Sequence, residues 1–169
     1  KQIPKVGVNF GKLGFMTTFQ NEDLEFKSCF ENPFSNPDIS SRTMLQGTIN
    51  GIKVYALNDI VINAVDPFRS IYLKVSVEEK ELTTVAGDGL IIGTATGSTA
   101  YNLSASGPLM LPEATGIIIN ALNPHALTYR PLVIHENAKI AIEAIKVNAG
   151  TSLVVDGEKE NSKKISPIL

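Results

Sequence analysis

Asn50-Gly51 lies between two runs of extended-type residues, 47–49 and 52–57. Both central positions of a two-residue hairpin turn require positive φ, and Asn-Gly meets that demand better than almost any other pair. The chain therefore reverses here, strand into strand. In residues 71–77, Ile71, Leu73, Val75 and Val77 alternate with Tyr72, Lys74 and Ser76, a period of two that turns one face to a core and the other to water. Glu78-Glu79-Lys80 then supplies a polar turn, and Asp156-Gly157 closes a third hairpin. Residues 90–93, 116–122, 131–135, 139–144 and 152–155 are further short β-rich runs bounded by Gly, Pro, Asn or Asp. Helix signals are few. Residues 21–30 begin on Asn21 and carry Leu24, Phe26 and Phe30, and residues 99–106 have room for two turns before Gly107-Pro108 ends them. Residues 31–41, with Pro33 and Pro37 among Asn, Asp and Ser, read as a surface loop. The expected fold class is mainly β (α+β overall): a multi-stranded antiparallel β domain with few short helices.

At 169 residues the chain can bury a core, and 43% hydrophobic with 19% charged residues is ordinary for a globular domain. No run approaches the roughly 20 apolar residues of a bilayer-crossing helix, so no membrane partner is expected. A formal net charge of -2, with basic residues scattered apart from Lys163-Lys164, lacks the basic patch that nucleic acid requires. Cys29 is the single cysteine, which excludes an internal disulfide and a multi-cysteine metal site and suits a reducing, cytoplasmic compartment. His125 and His135 have no third ligand at metal spacing and read as structural or surface residues, so no metal ligand is assigned. The sequence opens without Met and runs almost at once into apolar Val6-Gly7-Val8, so the expectation is one part of a longer polypeptide.

Chemistry concentrates in residues 94–107, TATGSTAYNLSASG. A strand at 90–93 that runs into such small residues leaves backbone N–H groups uncovered. Thr96, Ser98 and Thr99 add donors or helix caps, a surface suited to a phosphorylated ligand. A Ser/Thr-rich turn that only caps the next helix is the plainer alternative, and composition alone favours it. Established phosphate and nucleophile patterns do not fit. Gly11-Lys12 precedes Leu13, with Val6 where a Walker loop needs glycine. Gly87-Asp88-Gly89 has Ile92 in place of the third glycine of the dinucleotide fingerprint. None of Ser98, Ser104 and Ser106 has glycines two positions to either side, which excludes a nucleophile elbow.

The order of the residues is more telling than their composition. Asp88-Gly89-Leu90-Ile91-Ile92 followed by Thr94-Ala95-Thr96-Gly97-Ser98-Thr99-Ala100-Tyr101 closely resembles the DG(L/I)(I/V)…TPTGSTAY signature of the NAD kinase family. Gly7-Val8-Asn9-Phe10-Gly11-Lys12-Leu13-Gly14-Phe15 is similar to its G(I/V)N.G.LGF segment, and Ala56-Leu57-Asn58-Asp59 to its LN(E/D) motif. Pro124-His125-Ala126-Leu127-Thr128-Tyr129-Arg130-Pro131-Leu132 resembles PH.L..RPL, and Val155-Asp156-Gly157-Glu158 resembles the terminal DGQ-like turn. The resemblance covers nearly the whole chain. It implies phosphorylation of the adenosine 2′-hydroxyl of NAD to give NADP, using ATP or polyphosphate and a divalent metal (Mg2+), in a homo-oligomer, dimer or tetramer. It also implies an N-terminal α/β domain with a GGDG motif and a mainly β C-terminal domain that contributes most of the NAD site. This sequence contains no Gly-Gly-Asp-Gly. Residues 1–169 are therefore expected to form the C-terminal type of domain alone, which binds NAD weakly or in a shared site and does not phosphorylate it unless the GGDG domain is supplied.

Position by position, the resemblance implies that Asn58 and Asp59 hydrogen-bond the adenosine, the amide reading a base edge and the carboxylate accepting from ribose hydroxyls. As a bare dipeptide they equally form a turn before Ile60. Thr99, Ala100, Tyr101 and Ser104 would line the dinucleotide, Tyr101 with a face for stacking and a hydroxyl for bonding; a plain core aromatic is the alternative. Asp88 would contact the nicotinamide end, within its own subunit or across a subunit boundary, or stand in a simple Asp-Gly turn, and Ala86 occupies the place of an Arg found in some relatives. Glu158 is assigned to the NAD site where Gln is common. Asn9 and Lys12 belong either to an interface with a GGDG domain or to a plain loop. No catalytic residue is assigned, because the GGDG aspartate is missing. Two further classes stay open: a catalytically inactive NAD-binding or oligomerisation module, and a lipid kinase-like protein of the same architecture, against which the TGSTAY and LN(E/D) segments argue.

Overall fold

The computed structural model describes residues 5, 7–10, 17, 19–20, 39–66 and 68–159. The chain divides into two compact units, 1–41 and 42–169. In the first, β1 (Val8–Asn9) pairs in parallel with β2 (Phe19–Gln20). The helix expected over 21–30, most of the loop expected over 31–41, and Lys12 lie outside the described residues.

The second unit is built from the hairpins that its turn residues predict. Asn50 and Gly51, with φ of 50° and 80°, join β3 (Leu45–Ile49) to β4 (Ile52–Ala56). Glu78 and Glu79, at 49° and 65°, turn β6 (Ile71–Val77) into β7 (Lys80–Gly87). Asp156 and Gly157, at 48° and 81°, turn β12 (Ser152–Val155) into β13 (Glu158–Lys159). Among these lie β5 (Asp59–Asn63), β8 (Gly89–Thr94), β9 (Ile117–Leu122), β10 (Leu132–Ile134) and β11 (Ile140–Lys146). The strands of this unit form antiparallel sheets in the orders β10-β9-β8-β5-β12-β13, β11-β6-β7 and β3-β4.

The two-residue period of the strands sorts their side chains onto two faces. Ile62, Leu90, Ile92 and Ile119 point from the six-stranded sheet into one core with Leu73 and Val75 of β6 and with Val54 of β4. Burying each such side chain contributes about 1.5–3 kcal/mol, which is ample reason for the sheets to stack. Val61, Ile91 and Leu122 point the other way and pack with Ala105 and Val154. β8 and β9 are buried at every position, so residues 90–92 and 117–119 read as continuous apolar runs where an exposed strand would alternate.

Two expectations for residues 94–107 are corrected. The helix expected over 99–106 is a 3-10 turn, Thr96–Thr99, followed by a single-turn helix α1, Tyr101–Ser104. Ala100 separates them: its N–H closes onto the Gly97 carbonyl at 2.9 Å, and its ψ of -135° interrupts the helical ladder. Two of the hydroxyls expected to cap this helix or face a ligand are spent on backbone carbonyls. Ser98 is fully buried and bridges to Met110, donating to its carbonyl at 3.2 Å and accepting from its N–H at 3.1 Å. The Thr99 hydroxyl donates back to the Thr96 carbonyl at 3.4 Å. The orphan N–H at the start of the turn is taken instead by a strand residue, Thr94, whose hydroxyl accepts from Gly97 at 3.0 Å. Among the described residues no helix is long and apolar enough to cross a membrane.

Candidate functional site

Three segments far apart in sequence meet at one end of the six-stranded sheet. Residues 57–59 lead into β5, residues 94–97 leave β8, and Asp156-Gly157 follows β12; the pairs Asp59 with Gly93 and Ile60 with Val155 bring these ends together. Thr94 donates its hydroxyl to the Leu57 carbonyl at 2.6 Å and its N–H to the Asn58 carbonyl at 2.9 Å. From the opposite side the Asp156 carboxylate accepts the N–H groups of Leu57 at 2.7 Å, Asn58 at 2.7 Å and Asp59 at 3.1 Å. The Asp156 N–H returns a bond to the Asp59 carbonyl at 3.0 Å. Every backbone N–H and C=O of residues 57–59 is thereby engaged. Asn58-Asp59 is no free turn: its backbone is locked and only its side chains are left to act.

Beside this junction runs a groove of about 290 Å³, lined by Asn58, Asp59, Ala100, Tyr101 and Asp156 over a floor of Val61 and Val154. A larger groove of about 550 Å³ shares Tyr101 and Asn63 with it and continues past Asp88, Ser104, Asn120 and Tyr129. Tyr101 is 46% exposed, so it is a wall common to both grooves and not a core aromatic. Of the residues assigned from the sequence, Thr99 and Glu158 line neither groove; Glu158 is exposed on the edge strand β13.

Asp88 forms a crossing between sheets where a simple turn was the alternative. It stands between the last residue of β7 and the first of β8, giving its N–H to the Leu122 carbonyl at 2.8 Å and taking the Ala64 N–H at 2.7 Å. A Cβ at Gly87 would come within 2.7 Å of the Leu122 carbonyl oxygen, and one at Gly89 would overlap the Ile62 carbonyl oxygen. Glycine on both sides thus lets the backbones touch, while the Asp88 carboxylate accepts from the Asn123 amide at 2.8 Å.

Asn63 and Asn120 were missed in the sequence. The register aligns Asn63, Gly89 and Leu122 in one row across the sheet, and Val61, Ile91 and Asn120 in the next, so both asparagines emerge on the groove face. The one signal in the sequence was a lone Asn that ends one apolar strand and interrupts the other. The histidines are used structurally. His125 Nε2 hydrogen-bonds Ser70 at 3.0 Å, and His135 Nδ1 accepts the Asn137 N–H at 3.1 Å. Among the described residues no three His, Cys, Asp or Glu side chains gather as a metal cage.

The two grooves are lined by Asp59, Asp88 and Asp156 and by no Lys, Arg or His. Asp59 is only 4% exposed, and its carboxylate accepts no hydrogen bond from the described residues. Burial first, and then the negative charge of Asp156, push its carboxyl up to about 6. A carboxyl raised above its unfolded value of 3.8 binds a proton more tightly in the folded state, so its contribution favours folding at low pH and is lost as pH climbs through about 4 to 6. Asp59→Asn removes that penalty. The variant is expected to gain on the order of 2 kcal/mol over the parent at pH 7, and nothing at pH 4. Urea unfolding of both proteins across this range checks the difference; parallel pH profiles would refute it.

The residues of this junction lie within the span that known proteins match. The family model for the ATP-NAD kinase C-terminal domain matches residues 57–167. NAD kinase from Geotalea daltonii is 38% identical over 165 residues, 94% of this chain and 57% of that protein. NAD kinase from Heliobacterium modesticaldum is 37% identical over 161 residues, 92% of this chain and 56% of its own length. This chain therefore spans a little over half the length of these relatives. The crystal structure of yeast NADH kinase complexed with NADH superposes with a TM-score of 0.83 at 28% identity, over 94% of this chain and 47% of that one. The NAD kinase from Archaeoglobus fulgidus in complex with ATP gives a TM-score of 0.76 at 26% identity, over 94% and 66% of the two chains. Fold, junction and family model coincide on the same residues, and the chain belongs to the family of ATP-NAD kinase C-terminal domains.

Proposed function

We propose that this chain supplies most of the NAD site of a NAD kinase, an enzyme that phosphorylates the adenosine 2′-hydroxyl of NAD with ATP or polyphosphate to give NADP. The observation that carries the reading is the gathering of Asn58, Asp59, Ala100 and Tyr101 around one groove, continuous with a second that holds Asp88 and Ser104. The Asn58 amide has donors and an acceptor for a base edge. The Asp59 carboxylate, unsatisfied from within, is suited to accept from ribose hydroxyls. Tyr101 offers its ring to the dinucleotide where the grooves join, and Asp88 faces the nicotinamide end.

Phosphoryl transfer depends on positioning and on neutralising charge at the phosphates. Grooves lined by carboxylates and no cation can position a nucleoside but cannot neutralise a triphosphate. That work falls to a GGDG domain and to a divalent metal such as Mg2+ arriving on the donor's phosphates; among the described residues no three His, Cys, Asp or Glu side chains gather to hold it. The GGDG aspartate, which the family resemblance gives as the base for the 2′-hydroxyl proton, is not among these 169 residues. Residues 1–169 then act as the C-terminal type of domain within a cytoplasmic homo-oligomer. The NAD kinases and the NADH-bound structure among its relatives support this reading.

Calorimetric titration with NAD, NADP and ATP tests it. Because Tyr101 is half exposed, Tyr101→Ala is expected to change folding stability by less than about 1 kcal/mol while weakening NAD binding at least about tenfold. Equal NAD binding by both proteins would remove the nucleotide from this groove. Transfer of label from ATP to NAD is expected only when a GGDG domain is added; turnover by the 169 residues alone would overturn the shared-site part.

A further inference from the structure

The side chain of Asn102, in α1, is completely buried. Its Nδ2 donates to the Ser98 carbonyl at 3.3 Å and to the Pro108 carbonyl at 3.0 Å. Backbone carbonyls only accept, so this amide cannot be reversed, and its Oδ1 must meet a donor. Asn120 provides one: its Nδ2 reaches the Asn102 Oδ1 at 3.1 Å and spends its other hydrogen on the Ala105 carbonyl at 3.1 Å. The orientation of Asn120 is therefore set by the orientation of Asn102. Gly107 makes room for the pair, since a Cβ there would overlap the Asn102 amide.

The Oδ1 of Asn120 is what this relay leaves over. Asn120 is 2% exposed and lines the larger groove, and its Oδ1 receives no hydrogen bond from the described residues. Among those residues no side-chain polar atom that is sealed from solvent lacks a partner. The Asn120 Oδ1 therefore opens onto the groove as a fixed acceptor. Asp88, held by Asn123, places a carboxylate on the same groove, and no cation lines it.

We infer that Asn120 is a specificity-determining residue: its immobilised carbonyl oxygen admits a dinucleotide whose pyridine ring carries a carboxamide and rejects one whose ring carries a carboxylate. A carboxamide brings N–H donors to this oxygen. A carboxylate brings only acceptors, and Asn120 cannot flip to offer its Nδ2 because both hydrogens are committed. The inference rests on the dinucleotide reading above and names which chemical form of the ligand that site takes.

Calorimetric titration of the protein with NAD, nicotinic acid adenine dinucleotide and ADP-ribose tests it. NAD is expected to bind at least tenfold more tightly than the acid. In Asn120→Thr, whose hydroxyl both donates and accepts, the gap is expected to fall below threefold. A measurement on the unaltered protein guards against a variant that does not fold: the Asn120 side-chain amide resonances are expected to shift with NAD and to stay in place with ADP-ribose. Equal affinities for NAD and the acid, a gap that survives Asn120→Thr, or amide signals that NAD does not move would each overturn the assignment and leave the dinucleotide reading standing. Failure of both NAD and ADP-ribose to bind would overturn the two together.

Discussion

Gly97→Ala is expected to abolish NAD binding and to destabilise the β unit by about 3–5 kcal/mol. The added Cβ would overlap the Asn58 carbonyl oxygen and lie 2.8 Å from the Asn58 Cα. Flexible side chains could retreat from such a contact. Residues 57–59 cannot, because Thr94 holds them on one side and Asp156 on the other. Relief requires the 3-10 turn to lift away, which carries Ala100 and Tyr101 with it and opens the smaller groove. Gly93→Ala is the control: in the same strand and turn region, its Cβ would meet nothing closer than 3.7 Å. Urea unfolding and NAD titration of both variants check the claim, which fails if Gly97→Ala behaves like Gly93→Ala.

Asp156→Ala is expected to cost about 3 kcal/mol of stability and to lower NAD affinity by roughly a hundredfold. Three backbone N–H groups lose their shared acceptor, and a hydrogen bond to a charged group contributes about 1.5–3 kcal/mol. Asp156 also sits at φ 48°, a left-handed conformation that costs alanine about 1 kcal/mol. Asp156→Asn separates these contributions, since asparagine tolerates that backbone and keeps one acceptor oxygen. It also removes the negative charge that helps raise the Asp59 carboxyl, so that group should titrate closer to its ordinary value. Affinity in Asp156→Asn is expected between those of the parent and Asp156→Ala. NAD binding by Asp156→Ala at the parent's strength would show that the clamp does not position the Asn58-Asp59 loop.

The strand plan was legible because its causes are local. Asn50-Gly51 and Asp156-Gly157 adopt positive φ as their residue types predict, Glu78-Glu79 adopt it because a two-residue reversal demands it, and the alternation over 71–77 is a period of two along one strand. Asn58, Asp59, Ala100 and Tyr101 were found through their motifs, and they converge on one groove. Within the terminal Asp156-Gly157-Glu158 turn the assignment went to Glu158, an exposed edge residue, while Asp156 clamps the backbone of residues 57–59. A carboxylate's value as a triple acceptor depends on where residues about a hundred positions earlier lie, which no local pattern records.

The same limit explains the other differences. Thr96, Ser98 and Thr99 looked equivalent in a hydroxyl-rich stretch, yet Ser98 closes on Met110 and Thr99 on Thr96, and it is Thr94 that both caps the turn and ties it to Leu57. Asn63 and Asn120 became groove residues only when antiparallel register put them in neighbouring rows of one sheet face. Turn type, strand alternation and the family motifs follow from φ preferences and side-chain order along a few consecutive residues. Which hydroxyl is spent, which amide oxygen is left over and which carboxylate clamps a loop were settled by pairing between strands remote in the chain, because a hydrogen bond is directional and its partners exist only once that register is set.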